Sequence, residues 1–310
     1  MLIDSGILLK KVLETMNKKI FVMGSITIDH TVFTKVMPLP GVTGKADSFI
    51  KNVGGKGANQ AVASFYLGGD VFFVGSIGQD DEGRYISSFL DQIGLKHVLK
   101  SSNKGTGTAF ITINELNGEN QILIVQGANM DINNNDIDAL EEKISECDIF
   151  LTQLETPIET VIHSLKLAKK HGLLTILNPA PYGELSKDVY QYIDYFVPNE
   201  HELDQYISQN MSYEDKARTM LNKGVKNVIV TLGEKGSLLV NKEKVVHVEP
   251  FKVKAVDTTA AGDSYLGALV TALSQGKDIV EAMNFASKCS SITVTRPGAI
   301  NSLPKLDEVK

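Results

Sequence analysis

Cysteine is nearly absent from the 310-residue chain: only Cys147 and Cys289 occur, far apart and without Cys-x-x-Cys spacing. Neither a disulfide framework nor a zinc ribbon can be built from them, so both read as buried structural thiols of a protein kept in a reducing cytoplasm. No apolar run approaches the roughly 20 residues that a membrane-spanning helix needs. An excess of positive charge is missing too. Lys and Arg number 31 against 37 Asp and Glu, a net charge of −6. The basic residues are dispersed, which argues against a nucleic-acid surface. Repeats, low-complexity tracts and long linkers do not occur. The length suits one large domain of α/β size or two modest ones.

What is present begins with an N-terminal extension, residues 1–18. Its apolar stretch Gly6–Leu9 follows acidic Asp4 and precedes no small-residue cleavage site, so an amphipathic helix is expected there, not a leader peptide. Lys19–Thr27 reads as a buried strand ending at a Gly-Ser turn. Strand and helix patterns then alternate: helix Gly55–Leu67, strand Val71–Val74, helix Glu82–Ile93, strand Asp148–Thr152 with helix Pro157–Lys170, strand Leu173–Leu177, strand Tyr195–Val197 with helix Glu200–Ile207, and strand Val228–Leu232. Short, fully apolar strands between amphipathic helices predict a doubly wound, mostly parallel sheet covered on both faces. Phe33–Val53 and Gly107–Val125 break the rhythm with extended, alternating segments. They predict a small antiparallel sheet, from about residues 30–53 and 107–126, that is either a lid excluding water or a plain edge extension.

Three motifs carry chemistry. Ala255-Val-Asp-Thr-Thr-Ala-Ala-Gly-Asp263 leads into an apolar helical run, so Ala260, Ala261 and Gly262 fall in a first helical turn whose N–H groups lack intrahelical partners. Such a turn accepts phosphate, and Asp263 beside it can take a proton from an attacking hydroxyl. Val53-Gly-Gly-Lys-Gly-Ala-Asn-Gln60 is the second. It is not a Walker loop, since no Ser or Thr follows Lys56 and Ile50 stands where the first glycine belongs. It is not a dinucleotide fingerprint either, because Gln60 replaces the third glycine. Its glycines serve either a structural turn or a polar ligand held by Lys56 and Asn59. Asp29, just past the first strand, is either a turn residue or an acceptor for a vicinal diol.

Weaker signals accompany these. Glu155 follows another strand end; Asn199 reads as a helix N-cap; Thr231 to Gly236 either approaches a nucleotide or makes a hairpin. Thr293-Val-Thr-Arg-Pro-Gly298 reads as a helix stop or as carbonyls for a cation. His201-Glu202 is not a zinc motif, because Gln205 occupies the place of the second histidine.

Together these motifs resemble the ribokinase family of sugar kinases from about Lys19 to Pro304, with Asn178-Pro-Ala-Pro181, Pro198-Asn-Glu and Gly127-Ala-Asn129 in agreement. The resemblance implies a single domain over residues 19–310 and an ATP-dependent sugar kinase acting on D-ribose at the 5-hydroxyl. Asp263 would be the base, and Ala260, Ala261 and Gly262 the anion hole. Thr27, Asp29, Gly55, Lys56, Gly57, Asn59 and Glu155 would hold the pentose. Asn199, Thr231, Gly233, Lys235, Gly236 and Gly262 would line the ATP site, with Glu202 governing Mg²⁺ and phosphate. A monovalent cation, K⁺, would sit near Asp257, Thr259, Thr293, Arg296, Gly298 and Ser302. A homodimer through the lid sheets is expected. One position departs from the pattern: Thr27 stands where the family usually carries Asn, which bears on ribose against 2-deoxyribose. A nicotinamide dehydrogenase is excluded because Met23-Gly-Ser-Ile-Thr-Ile holds one glycine only. A sugar-binding regulator would need a broken catalytic set, whereas Asp263 and Gly262 are both present.

Overall fold

The computed structural model describes residues 18–116, 119–208 and 210–309; the helix expected over the N-terminal extension lies almost wholly outside them. Thirteen strands form two sheets among the described residues. The larger takes β1 (Lys19–Met23), β4 (Asp70–Gly78), β5 (Lys96–Ser102), β8 (Ile149–Thr152), β9 (Leu174–Leu177), β10 (Tyr195–Phe196), β11 (Asn227–Thr231), β12 (Ser237–Asn241) and β13 (Val245–Val248) in the order β13-β12-β11-β10-β9-β8-β1-β4-β5. All neighbours from β11 to β5 are parallel, and β12 and β13 are added antiparallel at one edge. The doubly wound fold is as expected.

The strands are apolar throughout because both faces are covered. Along β1, Ile20 and Val22 enter one core and Phe21 and Met23 the other, as a period of two dictates. Each fully buried side chain of this size contributes about 1.5–3 kcal/mol. Helices α1 (Lys56–Tyr66), α2 (Asp81–Ile93), α3 (Asn134–Asp138), α4 (Glu141–Ser145), α5 (Ile158–Lys170), α6 (Glu200–Tyr206), α7 (Tyr213–Lys223), α8 (Ala261–Ser274) and α9 (Ile279–Thr293) complete the fold. Local signals set their ends. Asp80 caps α2 by accepting from the Gly83 N–H at 2.8 Å, and Gly94 ends it in the left-handed conformation. Helix α8 is buried almost all round, with α1 and α9 packed against it.

The first strand ends at the Gly-Ser turn, as expected, and a second strand, which was not expected, begins at Thr27. β1 stops at Met23, and after Gly24-Ser25-Ile26 the chain re-enters as β2 (Thr27–Thr34) of the second sheet. That sheet orders β3 (Ser48–Gly54), β2, β6 (Thr108–Asn114) and β7 (Asn120–Val125) as β3-β2-β6-β7. Its outer pairs are antiparallel and its central pair, β2 with β6, is parallel. Residues 35–47 form no strand, so the first extended segment is a hairpin with a long tip.

Strand order fixes where a ligand can sit. From β1 the chain runs outward through β4 and β5, then returns to β8 on the other side of β1. The carboxyl ends of β1 and β8 therefore flank a topological switch point, where open α/β sheets bind their ligands.

Candidate active site

Of the sequence-predicted residues, Thr27, Asp29, Lys56 and Glu155 gather at that switch point. Ser25, after β1, donates to Glu155 Oε2, after β8, at 2.5 Å; the same oxygen accepts the Lys56 N–H at 3.1 Å. The turn between β1 and β2 is held by buried Asn129, which accepts from Ile26 N and donates to Ile26 O, both at 2.9 Å. Glycine is required where the turns meet. Gly55 adopts φ 90°, and a Cβ there would lie 2.8 Å from Ile26 Cα; one on Gly57 would lie 2.5 Å from the Gly24 carbonyl carbon. Close backbone approach gives these two glycines a structural role.

On β2, Thr27 Oγ1 donates to Asp29 Oδ1 at 2.8 Å. Burial pushes the Asp29 carboxyl up to about 6; the Thr27 bond opposes this, and the nearby Glu155 and Asp263 charges add to it. Lys56 is the local countercharge. Burial pulls its ammonium down, but Asp263, Glu155 and Glu202 together outweigh that and leave it above its ordinary value.

Asp263, 6% exposed, sits in the first turn of α8. Its Oδ2 accepts from Asn59 Nδ2 and its Oδ1 from Gln60 Nε2, each at 2.9 Å. With Nδ2 so used, Asn59 keeps a buried Oδ1 that has no partner among the described residues. Ala260 caps the helix with φ 58°, the left-handed region, where it is the only non-glycine among the described residues. That conformation costs about 1–2 kcal/mol and turns the chain sharply into the helix. Ala261 N donates to Thr258 O at 3.2 Å, whereas the N–H groups of Gly262 and Asp263 have no acceptor among the described residues. Gly262 is exposed, and a Cβ on it would meet nothing within 4 Å. Packing does not explain that glycine; open space over a free N–H does accommodate an anion.

Ala260, Ala261, Gly262 and Asp263 line a cleft of about 180 Å³ with Lys56, Asn178, Asn199, Glu202 and Thr231; Asp29, Asn59 and Glu155 are not among its lining residues. A larger, open hollow of about 410 Å³ near Lys277, Phe285 and Lys288 contains none of them. Reactive groups converge in the smaller cleft, which makes it the candidate active site.

The model of the pfkB family of carbohydrate kinases matches residues 17–306. The chain belongs to that family. It is 41% identical to a ribokinase of Schizosaccharomyces pombe, covering 94% of this chain and 96% of that protein. It is 37% identical to a deoxyribokinase of Salmonella typhi, covering 93% and 96%. Among solved structures, an Arabidopsis thaliana ribokinase complexed with ribose and ATP superposes with a TM-score of 0.86 at 32% identity, covering 95% and 98%.

Other residues of this carbohydrate kinase fall around the cleft in defined ways. Asn199 is the N-cap expected: its Oδ1 accepts the Glu202 N–H and Glu202 Oε2 accepts the Asn199 N–H, each at 2.8 Å. Burial holds the Glu202 carboxyl above its ordinary value, with the Asn199 N–H and Lys56 opposing. Thr231 to Gly236 joins β11 to β12, so it is a hairpin whose first residue also lines the cleft. Gly236, at φ 86°, would place a Cβ against Val248 backbone, whereas a Cβ on Gly233 meets nothing. Lys235 is exposed and stands 3.9 Å from Glu200.

Of the residues assigned to a cation, Asp257, Thr259 and Gly298 come together: Asp257 accepts from Thr259 N at 2.9 Å and Gly298 N at 2.8 Å. Buried Thr293 donates to Ser264 Oγ at 2.7 Å, buried Ser302 to Ala299 O at 2.7 Å, and the Arg296 guanidinium pairs with Glu308. Sequence reading gave no role to Ser25, Gln60, Gln153 or Asn178, whose hydrogen bonds join the site. The only local signal was Gln60 directly after Asn59 at a helix start; nothing in sequence ties it to a carboxylate 203 positions away.

Proposed function

We propose that this kinase transfers the γ-phosphoryl group of ATP to the 5-hydroxyl of D-ribose, giving ribose 5-phosphate and ADP. The observation that carries the reading is one buried carboxylate, Asp263, beside free N–H groups at the opening of α8. The sugar oxygen attacks phosphorus, its proton passes to Asp263, and the bond to the ADP oxygen breaks. A loose transition state needs positioning and charge stabilisation more than covalent help, which the Gly262 and Asp263 N–H groups, with Ala260 and Ala261 shaping the turn, are suited to give. Asp29 and Asn59 Oδ1 provide acceptors for sugar hydroxyls, and Lys56 carries positive charge to the phosphate side. Thr231, Gly233 and Gly236 would border the nucleotide.

The donors present fit the expected cations. No group of three acidic, His or Cys side chains among the described residues is arranged to hold a metal ion by itself. Glu202, the carboxylate at the cleft besides Asp263, suits Mg²⁺ held mostly by phosphate oxygens and water. When bound, Mg²⁺ would neutralise charge on the transferring phosphoryl group. Asp257, the sole carboxylate of its loop cluster, fits a monovalent cation such as K⁺ beside the helix start. Cys147 and Cys289, both free and buried, accord with a cytoplasmic setting.

Asp263→Asn is expected to lower kcat by roughly 10²–10⁴-fold in an ADP-release assay with ribose, while calorimetry finds ribose still bound. Near-normal turnover removes Asp263 from the base role. The deoxyribokinase relative and Thr27 favour a second reading, a 2-deoxyribose kinase. A buried site built around the 2-hydroxyl rejects the analogue lacking it by about 10⁴-fold, so kcat/KM for the two pentoses separates the readings.

A further inference from the structure

Gln60 has no freedom in which of its two polar atoms faces Asp263. The Val197 carbonyl can only accept, so Asn178 turns its Nδ2 there, at 3.0 Å, and leaves its own Oδ1 toward Gln60. Gln60 thus meets two acceptors with one amide nitrogen: Asn178 Oδ1 at 3.1 Å and Asp263 Oδ1 at 2.9 Å, one N–H for each. Its Oε1 is left to accept Gln153 Nε2 at 2.6 Å. Gln60, Gln153 and Asn178 are 0, 1 and 7% exposed, so water does not compete. Gly24 faces the far side of Gln153; a Cβ there would lie 3.0 Å from the Gln153 carboxamide carbon and push it from its place. The orientation therefore runs from a backbone carbonyl through two side chains to the carboxylate. α1 contributes Gln60, and the ends of β8 and β9 contribute Gln153 and Asn178.

We propose that Gln60, oriented by Asn178 and Gln153, is a positioning residue for phosphoryl transfer that fixes the rotation of the Asp263 carboxylate at the cleft. Asn59 holds the second oxygen, so the two amides clamp the carboxylate plane and leave its remaining lone pairs for an incoming hydroxyl. The inference rests on Asp263 acting as the base. It goes further in naming a residue that touches neither sugar nor nucleotide and acts on turnover through the base alone.

Steady-state kinetics on the full chain with ribose and ATP test it. Gln60→Met keeps the side-chain length and removes the donors; kcat should fall about 10–100-fold with both KM values within about threefold. Gln153→Met removes only the donor on Gln60 and should lower kcat by a smaller factor, about threefold. Ser64→Ala is the control: it breaks the 2.8 Å Ser64–Thr271 contact between the same two helices and should lower Tm without changing kcat. Unaltered kcat in Gln60→Met overturns the proposal, as does an equal loss in Ser64→Ala. Should Gln60→Met not fold, unaltered kcat in Gln153→Met overturns it instead. Near-normal turnover in Asp263→Asn refutes the base itself; an inactive Asp263→Asn beside a fully active Gln60→Met refutes only the positioning role.

Discussion

Asp29 combines burial with a demand for charge. A carboxylate accepts hydrogen bonds from two sugar hydroxyls, whereas the protonated acid must give one oxygen to its own proton. Burial raises its carboxyl from 3.8 to about 6, with Thr27 opposing and Glu155 and Asp263 adding. Below about 6 the free enzyme carries Asp29 neutral, so kcat/KM for the sugar should fall about tenfold per pH unit on that side. Asp29→Asn should lower kcat/KM at every pH and erase this limb; a limb that survives the substitution belongs to another group. For stability the sign is opposite. The folded value lies above the unfolded one, so the contribution is fully present below about 3.8 and is lost as pH rises through about 6. The empty site is therefore less stable at neutral pH, and a sugar that supplies donors to the carboxylate offsets that.

At the scale of elements, the contact of α1 with α8 brings Asn59 and Gln60 to Asp263. Gly267 makes it possible: a Cβ there would lie 2.5 Å from Ala63 Cβ and 2.8 Å from Gln60 O. Gly267→Ala must separate two buried helices, an overpacking cost of about 1–3 kcal/mol, read as a Tm lowered by about 2 °C or more. The Asp263 clamp should loosen with it, so kcat falls as well; an unchanged Tm would show that the helices yield freely. Much of this was legible from sequence, because the signals are local. The apolar strands, the caps and the Ala-Ala-Gly-Asp helix start each announce themselves within a few residues, and α1, α2, α5 and α6 begin and end within a residue of expectation, whereas α7 and α9 were not foreseen. What escaped is non-local. Nothing in Lys19–Thr27 beyond the Gly-Ser turn reveals that its two ends belong to different sheets, since every residue after Lys19 is apolar or small. The polar edge strand β5 lacks the apolar run that marks its neighbours. The Gln153–Gln60–Asn178 network depends on amides whose partners come from other strand ends.

For the whole molecule, the second sheet is the part the main core does not explain. At its inner end it is tied to the body: Lys51 pairs with Glu82 and lies 4.8 Å over the Tyr85 ring, and His30 stands 3.7 Å from Glu82. Its outer end is bare. Ile122, Leu123, Ile124 and Val125 are 49, 74, 49 and 57% exposed along edge strand β7. Phe49 and Phe110 stack on His30 while remaining more than half exposed. A long apolar edge left open invites pairing with another chain, and a second copy offers the same edge in return. The expected state is a homodimer joined through these sheets. Analytical ultracentrifugation at micromolar concentration should find the dimer mass for the native chain and the monomer mass for Phe110→Asp/Leu123→Asp, which leaves the main sheet untouched. If the sheet also closes over the sugar, the monomeric variant should lose affinity for ribose more than for ATP, because β2 carries Asp29, the proposed acceptor for sugar hydroxyls. A native chain already monomeric at that concentration would rule the dimer out and leave the sheet as a lid alone.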